Sequence, residues 1–175
     1  MTGLFFDMIN SYPKPVLMLA EGAAMAGGLG LLCTGDIVVV TEECKFALTE
    51  TTLGIPPAQI APFVVQRIGL AKARRIMLAA TRFTGKEAFE MGLADYLAKD
   101  QDELQSIEAE IKKGVLKCAP VANAVTKEIV LATRHLDRKE LVNFAAKGFA
   151  ERMLSDEGRE GISSFIEKRK PAWTK

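Results

Sequence analysis

The chain has 175 residues, of which 49% are hydrophobic and 26% charged, the usual composition of a globular protein. Its 23 basic and 22 acidic residues leave a net charge of +1, which argues against a dedicated binder of nucleic acid or of an anionic membrane. Three cysteines without a CxxC pair argue against a disulfide framework or a zinc site, and a single histidine excludes chemistry that needs two imidazoles.

The first half of the chain has the pattern of short strands and glycine-rich turns. Apolar residues at helical spacing predict a helix over 4–11, and the apolar run at 16–20 predicts a strand buried on both faces. The glycines of 21–30 predict a tight turn, after which 29–34 has the pattern of a short buried helix. Two further strands are predicted at 36–40 and 45–48. Residues 49–62 contain three prolines and predict a loop, where function is often located.

The second half has a helical pattern almost throughout. Thr84 before Gly85-Lys86-Glu87 predicts a capping box, and Gly92 predicts a helix end. After about Asp100 the chain is expected to be nearly all helix. The predicted helices are 71–80, 86–91, 101–117, 120–133, 137–153 and 156–168.

The glycine cluster after the first strand allows more than one interpretation. A phosphate-binding P-loop is excluded because no Gly-Lys-Ser/Thr follows it. A dinucleotide fingerprint would use Gly28 and Gly30, but Cys33 stands at the third glycine and Glu50 follows the third predicted strand. Two interpretations stay open: the glycines allow close packing of strand and helix, or Gly27 and Gly28 let an acyl group approach bare amides at a helix N-terminus.

Several segments, in this order, resemble the enoyl-CoA hydratase/isomerase (crotonase) family. Residues 15–36 resemble its segment Pro-Val-x-Ala-x-x-x-Gly-x-Ala-x-Gly-Gly-Gly-x-x-Leu-x-x-x-x-Asp. The similarity continues through 46–50, 53–55, 84–88 and 91–94 and ends at 160–169. Leu29-Gly30-Leu31 and Ala61-Pro62-Phe63 also resemble a bacterial subgroup, the methylglutaconyl-CoA-type hydratases.

This resemblance implies an α/β crotonase-like fold, a ββα spiral core with a C-terminal helical oligomerisation region. We expect residues 1–118 to form a partial core whose N-terminal part is absent, and 119–175 to form the helical trimerisation region. The resemblance implies a homotrimer or a hexamer. We expect a cytoplasmic protein, which fits the unpaired cysteines, with neither nucleic acid nor membrane as a partner.

The resemblance also implies a site that binds an acyl-CoA thioester and stabilises its oxygen, as an enolate, between two backbone amides. The amide that matches Gly27 is one of them. Of the two glutamates of family hydratases, the second matches Glu50 and the first falls on Gly30. Further matches assign Met25 and Gly28 to substrate binding and place Phe165 and Lys168 at the CoA of an adjacent subunit. No metal or separate cofactor is expected, since coenzyme A is part of the substrate.

The function expected from these residues is the addition of water to an α,β-unsaturated acyl-CoA thioester, with Glu50 as the proton shuttle. A single glutamate also resembles the enoyl-CoA isomerase pattern, so conversion of a 3-enoyl-CoA to a 2-enoyl-CoA is one alternative. The other is a truncated, non-catalytic chain. The residue alternatives are a solvated or capping role for Glu50, core packing for Phe165 and a solvated terminus for Lys168.

Overall fold

The computed structural model describes residues 2–174, and of Thr2 it describes the backbone alone. Its contacts divide the chain into two compact units, residues 2–10 with 16–110 and residues 11–15 with 111–174. The helices and strands, in chain order, are α1 (Thr2–Asn10), β1 (Leu17–Ala20), β2 (Ala23–Met25), α2 (Gly27–Leu32), β3 (Ile37–Thr41), β4 (Lys45–Ala47), α3 (Ala61–Ile68), α4 (Leu70–Leu78), β5 (Arg82–Thr84), α5 (Gly85–Glu90), β6 (Tyr96–Ala98), α6 (Gln101–Val115), α7 (Pro120–Ala132), α8 (Arg138–Leu154) and α9 (Asp156–Ile166).

The first unit contains two small sheets. In one, β3 lies between β1 and β6 and pairs with both in parallel. The valines Val38, Val39 and Val40 of this central strand are wholly buried, as expected for a β-branched run covered on both faces. In the other sheet, β4 lies between β2, its parallel neighbour, and β5, its antiparallel neighbour. The order of the strands makes β4 and β3 the central strands of the described sheets.

The core of the first unit is formed where α2 and α5 pack on the strands, α3 packs on α2 and α4 packs on α3. Phe46 of β4 stacks on Phe83 of β5 with ring centroids 5.4 Å apart. Phe6 of α1 meets the edge of Phe63 of α3 at 6.0 Å. These side chains belong to one buried apolar cluster with Leu29. Burial of this apolar surface holds the ends of β2 and β4 and the start of α2 in a fixed arrangement.

The second unit is a group of helices with defined ends. The Glu157 carboxylate accepts hydrogen bonds from the N–H groups of Val121 and Ala122, at 3.0 and 2.9 Å, and so caps α7, whose own N-cap residue is an alanine. The Arg169 guanidinium, followed by the N–H of Ala172, holds the pKa of Glu160 down to about 2 by hydrogen bonding. These bonds tie the residues after α9 back to that helix.

Most of the predicted long elements are confirmed. The helices of the second half begin and end within a few residues of the predicted bounds. The Thr84 capping box is present, with the Glu87 N–H donating to Thr84 Oγ1 and the Thr84 N–H donating to Glu87 Oε2. Gly92 follows α5 with φ +82°, a conformation that glycine adopts without strain. The mixed α/β class and the helical C-terminal region also agree with the prediction.

Other predictions are wrong in an instructive way. The first strand is not buried on both faces, because β1 is at the edge of its described sheet and Leu19 is 38% exposed. The predicted turn at 21–30 contains strand β2, and α2 begins at Gly27, two residues earlier than predicted. The predicted loop at 49–62 contains a 3₁₀ turn over Glu50–Leu53 and ends in the start of α3.

Candidate active site

The parallel pairing of β2 with β4 brings two of the predicted site segments to the same sheet edge. Met25, at the end of β2, pairs with Ala47, at the end of β4, and the Ala26 N–H donates to the Ala47 carbonyl at 2.9 Å. Helix α2 begins two residues after Met25, and Glu50 follows Ala47 by three residues. Because parallel strands end at the same edge, the start of α2 and Glu50 both leave the sheet there.

The first turn of α2 presents bare backbone on an open side. Its N-cap, Ala26, has the positive φ of 47° and offers no side-chain hydrogen bond. A Cβ added to Gly27 would meet nothing within 4 Å, and one added to Gly28 would touch only the Ala24 Cβ at 3.9 Å. Close packing therefore does not explain these two glycines. The first N–H groups of a helix have no acceptor within it and carry its partial positive charge, so this turn suits an oxygen that gains negative charge.

Gly30, one turn further along α2, has a different environment. A Cβ at this residue would lie 2.2 Å from Cγ2 and 2.5 Å from Cβ of Ile60. Ile60 is 4% exposed and belongs to the buried core. Gly30 is therefore a packing glycine, and the interpretation rejected for Gly27 and Gly28 holds here.

Glu50 is the first residue of the 3₁₀ turn after β4, a turn that ends at Gly54 with φ +75°. The Glu50 carboxylate is half-buried, and its Oε2 atom is fully buried without a hydrogen-bond partner among the described residues. Leu48 before it is buried in the core, and Leu53 at the end of the turn is exposed. A buried carboxylate oxygen without a donor is costly and rare, and such atoms are found at sites that expect a ligand or a water.

The predicted substrate-binding residues fall into two groups. Met25 is partly exposed at the sheet edge, together with Gly27, Gly28 and Glu50. Phe165 lies in the last turn of α9, and Lys168 follows that helix with φ +53°. The Phe165 side chain is 85% exposed, which rules out core packing within the second unit. Lys168 is also exposed. Their assignment to CoA binding stays a prediction.

Ile60 is a site neighbour that the sequence analysis missed. It falls in the stretch for which the sequence predicts a loop, and its partner Gly30 is thirty residues away in the chain. The available signal was the glycine itself, since a glycine on the buried face of a helix requires a neighbour that fills the space of its side chain.

Cys33, the residue after α2, does not add a reactive group to this edge. Burial raises the pKa of the Cys33 thiol to about 12, so Cys33 is not a nucleophile near neutral pH. Residues 2–174 contain no group of three or more His, Cys, Asp or Glu side chains that could hold a metal ion. In the same range, no helix has both the length and the apolar character needed to cross a membrane.

Comparisons with known proteins agree on one family. The family model described as enoyl-CoA hydratase/isomerase matches residues 4–175. A probable enoyl-CoA hydratase of Bacillus subtilis (strain 168) is 32% identical over 94% of this chain and 64% of its own length. A peroxisomal Δ(3,5)-Δ(2,4)-dienoyl-CoA isomerase of Arabidopsis thaliana is 30% identical over 95% of this chain and 60% of its own.

The solved structure of AtuE from Pseudomonas aeruginosa superposes with a TM-score of 0.97 at 42% identity, covering 99% of this chain and 67% of that one. The crotonase-like fold implied by the sequence is thereby confirmed. The chain spans between 60% and 67% of the length of these three proteins.

Proposed function

The chain belongs to the enoyl-CoA hydratase/isomerase family, and on that premise we propose that it adds water to an α,β-unsaturated acyl-CoA thioester through an enolate. The observation that carries this proposal is that a candidate acid–base group and a candidate oxyanion-binding amide lie at the same sheet edge. Glu50 has a buried carboxylate oxygen without a hydrogen-bond partner among the described residues, and the backbone at Gly27 is open to a ligand.

In the proposed reaction the Gly27 N–H donates to the thioester oxygen. The α2 dipole stabilises the negative charge that develops there, the arrangement that makes oxyanion sites effective. Met25 and Gly28 line the substrate beside this amide. Glu50 takes a proton from the attacking water and gives a proton to the α-carbon. A carboxylate that is half-buried beside a core leucine is shielded from bulk water, which favours both transfers.

The wider setting is proposed on the same basis. Phe165 and Lys168 would contact the CoA of an adjacent subunit in a homotrimer or hexamer, with residues 1–118 as core and 119–175 as the oligomerisation region. The many large apolar side chains exposed along α8 and α9, among them Phe149 and Phe165, support this, since an extensive exposed apolar surface marks an interaction site. A native mass of three or six chains would support it further. The proposed compartment is the cytoplasm, and the proposed substrates include branched, methylglutaconyl-CoA-type thioesters.

Isomerisation of a 3-enoyl-CoA to a 2-enoyl-CoA is the second candidate. One observation favours it: Gly30 carries no carboxylate and Ile60 fills the space beside it, so α2 supplies no second carboxylate beside Glu50. A single carboxylate can move a proton between two carbons of the same enolate. The isomerase name of the Arabidopsis relative is consistent with this candidate.

The test is product identification with two substrates of equal chain length, a 2-enoyl-CoA and a 3-enoyl-CoA. Hydration predicts a 3-hydroxyacyl-CoA from the 2-enoyl substrate. A 2-enoyl product from the 3-enoyl substrate, without any 3-hydroxyacyl-CoA, would replace hydration by isomerisation. No turnover of either substrate would contradict both reactions and favour a non-catalytic chain.

A further inference from the structure

Gly27 and Gly30 lie on the same side of α2 because residues three apart on a helix are neighbours on its surface. The space beside the two residues differs. Beside Gly27 it is open, and beside Gly30 it is filled by Ile60. A side chain at residue 30 would stand next to a ligand held at the Gly27 amide. Ile60 therefore occupies the position from which a second side chain of α2 would act on that ligand.

The Ile60 side chain has no easy way to move aside. Its β-carbon, and not only Cγ2, lies within 2.5 Å of the position of a Cβ at residue 30, so rotation of the side chain leaves the clash in place. The backbone is held as well. The Ile60 carbonyl accepts hydrogen bonds from Phe63 and Val64, both at 3.1 Å, where α3 begins. A substitution at Gly30 thus requires a change at Ile60.

We propose that Ile60 limits the site to one acid–base group, by filling the space in which a side chain at residue 30 would reach the ligand at Gly27. This inference rests on the proposed function and deepens it. In this proposal Ile60 is a specificity-determining residue that acts by exclusion. Glu50 is then the group that both takes and returns the proton.

The reaction with a single carboxylate balances. Glu50 removes a proton from water while the water oxygen bonds to the β-carbon, and the electron pair of the double bond moves to the thioester oxygen. The enolate at Gly27 then collapses, the α-carbon takes the proton from Glu50, and the carboxylate is regenerated. The two hydrogens and the oxygen that are added to the substrate all come from the one water, and no further reactant is needed.

The first part of the test measures thermal stability. Gly30→Ala is expected to lower the Tm by about 5 °C, because the new methyl group overlaps Ile60. In the Ile60→Gly background, which removes the β-carbon of residue 60 as well, the same Gly30→Ala change is expected to leave the Tm unchanged or to raise it, since alanine stabilises a helix more than glycine does. An equal loss of Tm in both backgrounds would overturn the proposed exclusion.

The second part measures products. The variant Gly30→Glu with Ile60→Gly, which leaves no β-carbon at residue 60, places a second carboxylate beside the ligand. Its matched control, Gly30→Gln with Ile60→Gly, has the same size without the charge. We expect the ratio of 3-hydroxyacyl to isomerised product to be about 10²-fold higher in the glutamate variant than in the glutamine variant. This is the usual size of the rate acceleration that a general acid or base supplies. Equal ratios would overturn the proposal. Wild-type chain that turns over neither substrate would contradict the proposed function, and the Tm cycle would still decide the steric claim.

Discussion

At the scale of the residue, the three glycines of helix α2 have two different environments. The space beside Gly27 and Gly28 is open, whereas Gly30 makes room for a buried isoleucine. The family resemblance predicts Gly27 and Glu50 as site residues, and the fold places both at one sheet edge. Ile60 could not be predicted in this way, because its contact with Gly30 joins residues that are distant in the chain.

The distinction between the glycines can be tested with Gly27→Ala. A methyl group there meets nothing in the chain, so the Tm is expected to stay within about 2 °C of the wild-type value. Turnover is expected to fall by about 10²-fold, because the methyl group stands in the space over the proposed oxyanion amide and displaces the substrate. Steady-state assays and thermal melts of the same sample measure both effects.

Gly114→Ala is the matched control for that variant. Gly114 lies in α6, and a Cβ there also meets nothing within 4 Å, so the change is expected to leave turnover unaltered. Full turnover by Gly27→Ala would show that the amide of residue 27 is not where the thioester oxygen binds.

At the scale of the element, the sequence predicts the long helices well and the short strands poorly. Strands β2, β5 and β6 have three residues each, too few to show a period, and they exist because a neighbouring strand pairs with them. The sequence does not predict helix α3, because three prolines, Pro62 among them, indicate a loop over 49–62. A proline in the first turn of a helix loses no hydrogen bond, and Pro62 lies in that turn.

The capping box of α5 gives a prediction at this scale. Thr84→Ala removes the acceptor of the Glu87 N–H and is expected to lower the Tm by about 2–4 °C. Hydrogen bonds from the N–H and then the hydroxyl of Thr84 hold the pKa of Glu87 below its ordinary value of 4.5. The ionised form is therefore the one stabilised by folding.

The sign of the pH effect follows from that lowered pKa. The contribution of Glu87 is complete above pH 4.5 and is lost as the pH falls through the lower, folded-state pKa. Glu87→Gln is thus expected to lower the Tm at pH 7, and the difference from wild type is expected to shrink as the pH falls below 4.5. Melts of both proteins across that range provide the measurement, and a difference that grows on acidification would contradict the role given to Glu87.

At the scale of the whole molecule, the sequence predicts the change of character along the chain: short strands and turns first, then helices. The first unit contains both sheets and the proposed proton-transfer residue, and the second contains α7, α8 and α9 with the exposed Phe165. The family resemblance predicts the fold because the glycine, strand and cap signals occur in a fixed order. Contacts between distant residues, such as that of Glu157 with the start of α7, have no local signal in the sequence.

The central claim is that Glu50 forms and quenches an enolate of an acyl-CoA bound at Gly27, which holds for hydration and isomerisation alike. The most direct measurement is the exchange of the α-protons of a saturated acyl-CoA for deuterium in D₂O, followed by NMR. The wild-type chain is predicted to catalyse this exchange, and Glu50→Gln, which keeps the size but not the charge, is predicted to slow it by about 10²-fold or more. Exchange at the same rate in both proteins, or none in the wild type, would contradict the account.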